Sequence, residues 1–305
     1  MDQEQFDIAI VGGGPAGLQA TLVLARTRKR VIVFDAPQAP RNGASHGVHN
    51  FVGLEGLLPA EIREQAWQQI HVYNSAELRV ERVVEVQAHD DGFLVSGEAG
   101  SSVTARHVIL ALGYRDVYPD IPGFMDCWGD TILACPFCDG YENRDRIWGL
   151  VASSPMGLEH MPKMHENWTT KAHVIISPKL KISDEQRAAL DAANIPLHIG
   201  EIVEVHHDNG KVEAVTLNTG ERIAVGTLWC QLDESPQPLT EQIIATFNLE
   251  LDDTGYIKTD AHYQTAVHGL WAVGDVKGWA TALGAAYQAS QAAYTIAHHW
   301  YTNYE

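Results

Sequence analysis

The sequence predicts an α/β protein built from two Rossmann-like dinucleotide-binding domains, the second inserted in the first. Three observations lead there. An apolar run, Phe6 to Val11, enters a glycine-rich turn and a helical pattern, and a second apolar run then ends at Asp35. A similar strand, helix and strand order restarts at "RIWGLVAS". Each half then passes through short alternating segments before a return strand. A length of 305 residues suits about two domains.

The elements follow in order. Pro15 to about Thr27 reads as the first helix and Arg30 to Phe34 as the second strand. Residues 40–57 have turn composition and form a long loop of the kind that carries function. "LPAEIREQAWQQIHVY" reads as an amphipathic helix with proline near its first turn. "ERVVEVQAH", "GFLVSG" and "SVTARHVILAL" read as an antiparallel insertion returning to the parent sheet. "GYRDVYPDIPGF" is a connector punctuated by Pro and Gly. Beyond it lie a strand, a helix candidate interrupted by Pro162, the strand "AHVIIS", and a helix with Ser183 as N-cap. "IVEVHHDNGKVEAVTLNTGERIAV" reads as a meander with Asp-Asn-Gly and Asn-Thr-Gly turns. An Ala-rich helix spans about 282 to 299.

Acidic side chains number 39 against 21 basic ones, a formal charge of −18. Nucleic acid and anionic membrane surfaces need clustered Lys and Arg, so neither is an expected partner. No apolar run reaches membrane-spanning length, and the acidic start does not resemble a signal peptide. The expected location is therefore cytoplasmic.

Gly12, Gly14 and Gly17 match Gly-x-G-x-x-Gly with Pro15 and Ala16 between them, directly after a strand and at the start of a helix. That context is what the motif requires: small residues let backbone approach a pyrophosphate at a helix N-terminus. Asp35 is placed to accept hydrogen bonds from ribose hydroxyls and would repel a 2′-phosphate. Arg41, Asn42, Ser45, His46 and Asn50 lie in the loop beyond as donors to a pyrophosphate or ring, or simply as a polar surface. "GLWAVGDV" ends a strand in Gly274 and Asp275, a second flavin-type signal before a helix.

Four cysteines are too few for a disulfide scaffold in a chain this long. Cys135 and Cys138 form Cys-x-x-Cys, followed by Asp139. A close dithiol can exchange electrons with a flavin, and a carboxylic acid beside it can carry the proton. The alternatives are a zinc site or inert thiols. Zinc usually needs a second pair, and only Cys127 and Cys230 remain, so no metal is expected.

"IVGGGPAG", "CPFCDG" and "GYIKTD…GLWAVGDV" together resemble low-molecular-weight thioredoxin reductases over nearly the whole chain. "PRN…S…VHNF" and the Cys-Pro-x-Cys segment resemble the branch that holds dithiol oxidases of epidithiodiketopiperazine and dithiolopyrrolone biosynthesis. A cyanobacterial diflavin-linked disulfide oxidoreductase is also similar. The resemblance implies FAD, a homodimer, and an FAD-binding domain of residues 1–115 and 241–305 around a central domain of 116–240. It implies that Cys138 faces the flavin, Cys135 exchanges with substrate and Asp139 is the acid and base. It also places Ala36, Val83, Ala111, Gly113 and Ala282 at the flavin.

The central nucleotide site departs from that family. "RIWGLVAS" leads into Ala152-Ser153-Ser154-Pro155-Met156-Gly157, where glycines are expected. A Cβ at 152 and 154 obstructs backbone approach to pyrophosphate. "AHVIIS" ends among Lys179 and Lys181 rather than an arginine fork. Leu232, Asp233 and Glu234 stand where the family has a glycine without acids. The expectation is an FAD-dependent thiol/disulfide oxidoreductase that does not use NADPH and oxidises a dithiol of a protein or small molecule. A second flavin could fill the altered domain, where Trp128, Trp148 or Trp168 would stack on it or else pack the core. The rival readings are an NADPH- or ferredoxin-dependent thioredoxin reductase and a flavin-containing redox sensor.

Overall fold

The computed structural model describes residues 4–38 and 40–302. They divide into two compact units, one numbered 1–43, 57–115 and 235–305, the other 44–56 and 116–234. The loop 44–56 therefore groups with the second unit, although the sequence boundaries assign it to the first. Its tight seat explains this: a Cβ on Gly129 would collide with the Ala44 carbonyl.

The first unit opens with β1 (Glu4–Val11), α1 (Pro15–Arg26), β2 (Val31–Asp35), α2 (Pro59–Ile70) and β3 (Ala76–Val80). The antiparallel run β4 (Val83–His89), β5 (Gly92–Gly97) and β6 (Ser102–Leu110) then returns to the sheet. The sheet order is β3-β2-β1-β6-β5-β4, with β1 parallel to both β2 and β6. Strand β1 can sit between parallel neighbours because Ile8, Ala9, Ile10 and Val11 are apolar on both faces. The chain leaves this unit through β7 (Tyr114–Val117).

The second unit holds α3 (Phe124–Cys127), β8 (Ile132–Leu133), α4 (Pro136–Asp139), β9 (Trp148–Ala152), α5 (Pro155–Met164), β10 (Ala172–Ile176), α6 (Asp184–Ala192) and β11 (Leu197–Ile199). The meander β12 (Ile202–Asp208), β13 (Lys211–Leu217) and β14 (Arg222–Ala224) follows, then β15 (Thr227–Cys230) and β16 (Asp233–Pro236). Its parallel sheet runs β11-β10-β9-β15-β8. Helix α5 continues through Pro162 to Met164 rather than breaking there. Proline falls in its last turn, so only one backbone bond is forgone before a short 3₁₀ turn takes over.

The chain re-enters the first unit with α7 (Pro238–Phe247), β17 (Leu270–Ala272) on β6, and α8 (Ala282–Thr302). Helix α7 and strand β3 were not foreseen from sequence. Small residues Ala285, Ala289, Ala292 and Ala293 are buried in the same core as Ala16, Ala20 and Leu24 of α1. Gln19 donates to Ser290 across the same helix pair. Burying each Leu or Ile of this core contributes about 1.5–3 kcal/mol.

Candidate active site

In the first unit the glycine loop is shaped by close approach. A Cβ on Gly12, whose φ is +113°, would collide with the Ala111 carbonyl, and one on Gly17 would collide with the Gly12 carbonyl. Gly14 differs: a Cβ there would meet no protein atom within 4 Å. Gly14 is also the N-cap of α1, without a side-chain cap, and Pro15 stands in the first turn. Free helical N–H groups thus face an open space with no Cβ in the way, the donor set that a pyrophosphate requires. The residues present therefore fit a dinucleotide cofactor.

Asp35, at the end of β2, accepts from the Gly13 backbone N–H at 3.1 Å and pairs with Arg63 of α2. Arg63 gave no sequence signal, because an arginine on an amphipathic helix reads as a solvated face. Arg41 and Asp275 meet at 3.2 Å. Gly274 N–H donates to Gln288 of α8 at 2.8 Å, and Ala280 N–H donates to Asp275 at 3.2 Å. Ala111 N–H donates to Val11 O, which holds the end of β6 against the glycine loop. Ala36 follows β2, Val83 begins β4, Gly113 follows β6 and Ala282 begins α8. Asn42 lies in the turn after Pro40.

Ser45, His46 and Asn50, expected with these residues, instead belong to the second unit. There Cys135 and Cys138 form a disulfide, with their Cα atoms 5.3 Å apart. The turn is closed by Cys138 N–H to Cys135 O at 3.1 Å and Gly140 N–H to Pro136 O at 2.8 Å. Asn50 donates to the carbonyl of Phe137, between the two cysteines, at 2.6 Å. His46 lies 3.7 Å from Asp130, and Ser45 donates to Gly47 O.

Below the turn lies an aromatic floor. Trp168 packs against Gly140 so closely that a Cβ there would lie 2.9 Å from the indole. Trp168 stacks on buried Trp148 at 5.7 Å and 10°, and Phe137 meets its edge at 5.3 Å. Trp128 stacks on Phe124. Asn143, nearly fully buried, braces the turn: it donates to Asp139 O and Asp130 O and accepts from Thr227, while Trp148 donates to its carbonyl. Nothing in the sequence flags Asn143, since its role exists only once β9 and β15 lie beside the turn.

Burial pushes the Asp139 carboxyl up to about 6, against the opposing pull of His49. A carboxyl shifted in this way can both hold and release a proton near neutral pH. Burial likewise pushes the Cys230 thiol up to about 12 and raises that of Cys127. Both are held as thiols, in keeping with packing rather than redox duty. Among the described residues no cluster of His, Cys, Asp or Glu is suited to a metal ion. No helix among them is long and apolar enough to cross a membrane.

A family model described as pyridine nucleotide-disulphide oxidoreductase matches residues 6–293. The chain belongs to that family. Membership makes it an oxidoreductase and implies flavin binding, in agreement with the open glycine loop. A relative from Claviceps purpurea named thioredoxin reductase tcpT is 31% identical over 284 residues, covering 88% of this chain and 86% of its own. The crystal structure of HlmI matches with a TM-score of 0.88 and 30% identity over 98% of this chain and 93% of its own. An oxidoreductase from Agrobacterium tumefaciens matches with a TM-score of 0.87 and 29% identity over 99% of this chain and 100% of its own. This chain is thus a thioredoxin reductase-like member of the pyridine nucleotide-disulphide oxidoreductases.

This oxidoreductase carries a second strand-to-helix turn, at α5, and its chemistry is unlike that at α1. Ser154 caps α5, accepting from Gly157 N–H at 3.0 Å. Gln231 Oε1, at the end of β15, accepts from Ser153 N–H at 3.2 Å and from the Ser154 hydroxyl at 3.1 Å. Gln231 also fills the space over Gly157, where a Cβ would collide with its amide. At α5 the Gly157 N–H, whose counterpart at α1 has no side-chain cap, is taken by Ser154, and the Ser153 N–H by Gln231.

Proposed function

We propose that this oxidoreductase takes two electrons from a dithiol into its Cys135–Cys138 disulfide and passes them to FAD, without NADPH as donor. One observation carries the reading: the α5 N-terminus is capped by Ser154 and covered by Gln231, while the α1 N-terminus is open. A phosphate arriving at α5 would have to displace both side chains and face Asp233 and Glu234 nearby in sequence.

The roles follow from the chemistry of the turn. A substrate thiolate attacks Cys135, the Cys135–Cys138 bond breaks, and Cys138 leaves as thiolate. The second substrate thiolate then attacks the mixed disulfide and releases Cys135. The substrate becomes a disulfide and the cysteine pair gains two electrons and two protons, with Asp139 carrying protons at the turn. FAD, when bound, would supply the electron sink, with oxygen or a quinone as the class of oxidant that would have to reoxidise it. Gly12, Gly14, Pro15, Ala16 and Gly17 would hold its pyrophosphate, and Asp35, kept in place by Arg63 and Gly13, its ribose. Arg41 and Asp275 would serve the same cofactor as an ion pair. The filled α5 terminus, the stacking of Trp168 on Trp148 and that of Trp128 on Phe124 favour one flavin per chain over two. We read the working form as a cytoplasmic homodimer.

Anaerobic addition of dithiothreitol should bleach the flavin, and NADPH should not. Rapid bleaching by NADPH would reject the reading in favour of an NADPH-dependent thioredoxin reductase. That rival draws support from Asp139, which follows the second cysteine as in the reductases, and from the name of the Claviceps relative. A flavoprotein sensor would show no bleaching with any dithiol, and its Cys138→Ser variant would match the parent.

A further inference from the structure

We infer that His49, delivered by the loop 44–56, is a second proton-holding group of the dithiol site and governs the ionisation of Asp139. The inference deepens the proposed function and rests on it for the role of Asp139.

The loop is built to hold the ring still. The Glu55 carboxylate grips it twice, with Oε1 on His49 Nδ1 at 2.7 Å and Oε2 accepting from Asn50 N–H at 2.8 Å. Asn50 has a left-handed backbone, φ +63°, which turns its amide side chain onto the Phe137 carbonyl. The residue beside His49 is therefore hydrogen-bonded to the dithiol turn itself. The other ring nitrogen, Nε2, lies 3.8 Å from Glu142, three residues beyond Asp139. With Nδ1 donating to Glu55, Nε2 is the nitrogen left to gain or lose a proton.

The charges around Asp139 are of both signs. His49 and His46 favour its ionised form, and Glu142 and Asp130 oppose it. Asp130 is itself paired with Lys211. Burial works against a charge on His49, but the Glu55 hydrogen bond and the Glu142, Glu55 and Asp139 charges outweigh it and raise its pKa. A cationic His49 thus stabilises ionised Asp139. Each thiol exchange takes a proton from a substrate thiol and gives one to a cysteine sulfur, so Asp139 must reload between the two events. His49 acts here through Asp139, as a positioning residue.

The test uses the flavin-loaded full chain. Reduction of the Cys135–Cys138 disulfide by dithiothreitol is followed from about pH 5 to about pH 8 by acid quench and thiol alkylation, which reads the cysteine pair rather than the flavin. The parent should show an inflection near pH 6, lost in Asp139→Asn. His49→Asn should move it upward by roughly one unit, leaving about five-fold less ionised Asp139 at pH 6. Glu142→Gln should move it downward. Glu55→Gln, at an exposed position, should shift it upward by less and serves if His49→Asn folds poorly. An inflection unmoved in both His49→Asn and Glu55→Gln, or moved the same way by Glu142→Gln, overturns the inference alone. Flavin bleaching by NADPH would remove the donor assignment and leave this shift intact. A disulfide inert to dithiothreitol at every pH would end both.

Discussion

Asp139 is a carboxyl that the fold leaves short of water, and this has a thermodynamic as well as a catalytic consequence. Its folded pKa, about 6, lies above the ordinary value of 3.8, so the folded state binds the proton more tightly than the unfolded chain. Stability from this group is present below pH 4 and is lost as pH rises through 6. Two units correspond to about 3 kcal/mol. Asp139→Asn should therefore raise the unfolding free energy at pH 8 by on the order of 1–3 kcal/mol and change it little at pH 4. The same variant should slow dithiol exchange by about 100-fold. Urea unfolding that shows equal effects at both pH values would contradict the burial account. Asp139 was legible beside its cysteines, since adjacency in sequence fixed adjacency in space. Asn143 and His49 were not, because nothing local distinguishes a brace or a proton partner from a surface polar residue.

At the scale of elements, helix termini separate the two halves of the chain. Helices α1, α5 and α6 begin in three different ways: open at Gly14, closed by Ser154 and Gln231, and closed by a capping box at Ser183. At α6 the Ser183 hydroxyl accepts from Gln186 N–H at 3.1 Å, and Ser183 N–H donates to the Gln186 side chain at 3.0 Å. This cap serves only the helix. Ser183→Ala should cost about 1 kcal/mol in urea unfolding and leave thiol–disulfide exchange at Cys135–Cys138 unchanged. A loss of activity without a loss of stability would point to a role for α6 that the structure does not give it. The Ser183 cap was readable because its partner lies three residues away. The α5 cap was half readable: Ser154 stands in the motif, but Gln231 arrives from β15. Pro162 misled because proline disfavours a helix interior, and only the end of α5 shows that it falls where little is lost.

The whole molecule carries a net charge of −18, which acts on encounter rather than on chemistry. An acidic protein partner would be repelled, and added salt should raise its rate with the oxidised enzyme; a small uncharged dithiol should be indifferent. Measuring both from about 10 to about 300 mM salt discriminates the substrate classes. A rate with an acidic partner that falls with salt would show a local basic docking surface instead. By itself the sequence determined the α/β class, the glycine loop, the cysteine pair with its acid, and the loss of glycines at the second turn. These are carried by residues close in the chain, whose spacing dictates their geometry. Tertiary structure alone decided that Asn50 of the loop 44–56 meets the dithiol turn, that Gln231 covers α5, that Arg63 holds Asp35 and that Gln288 holds Gly274. Each depends on side chains that meet only when distant strands and helices pack, and no local pattern encodes such a meeting.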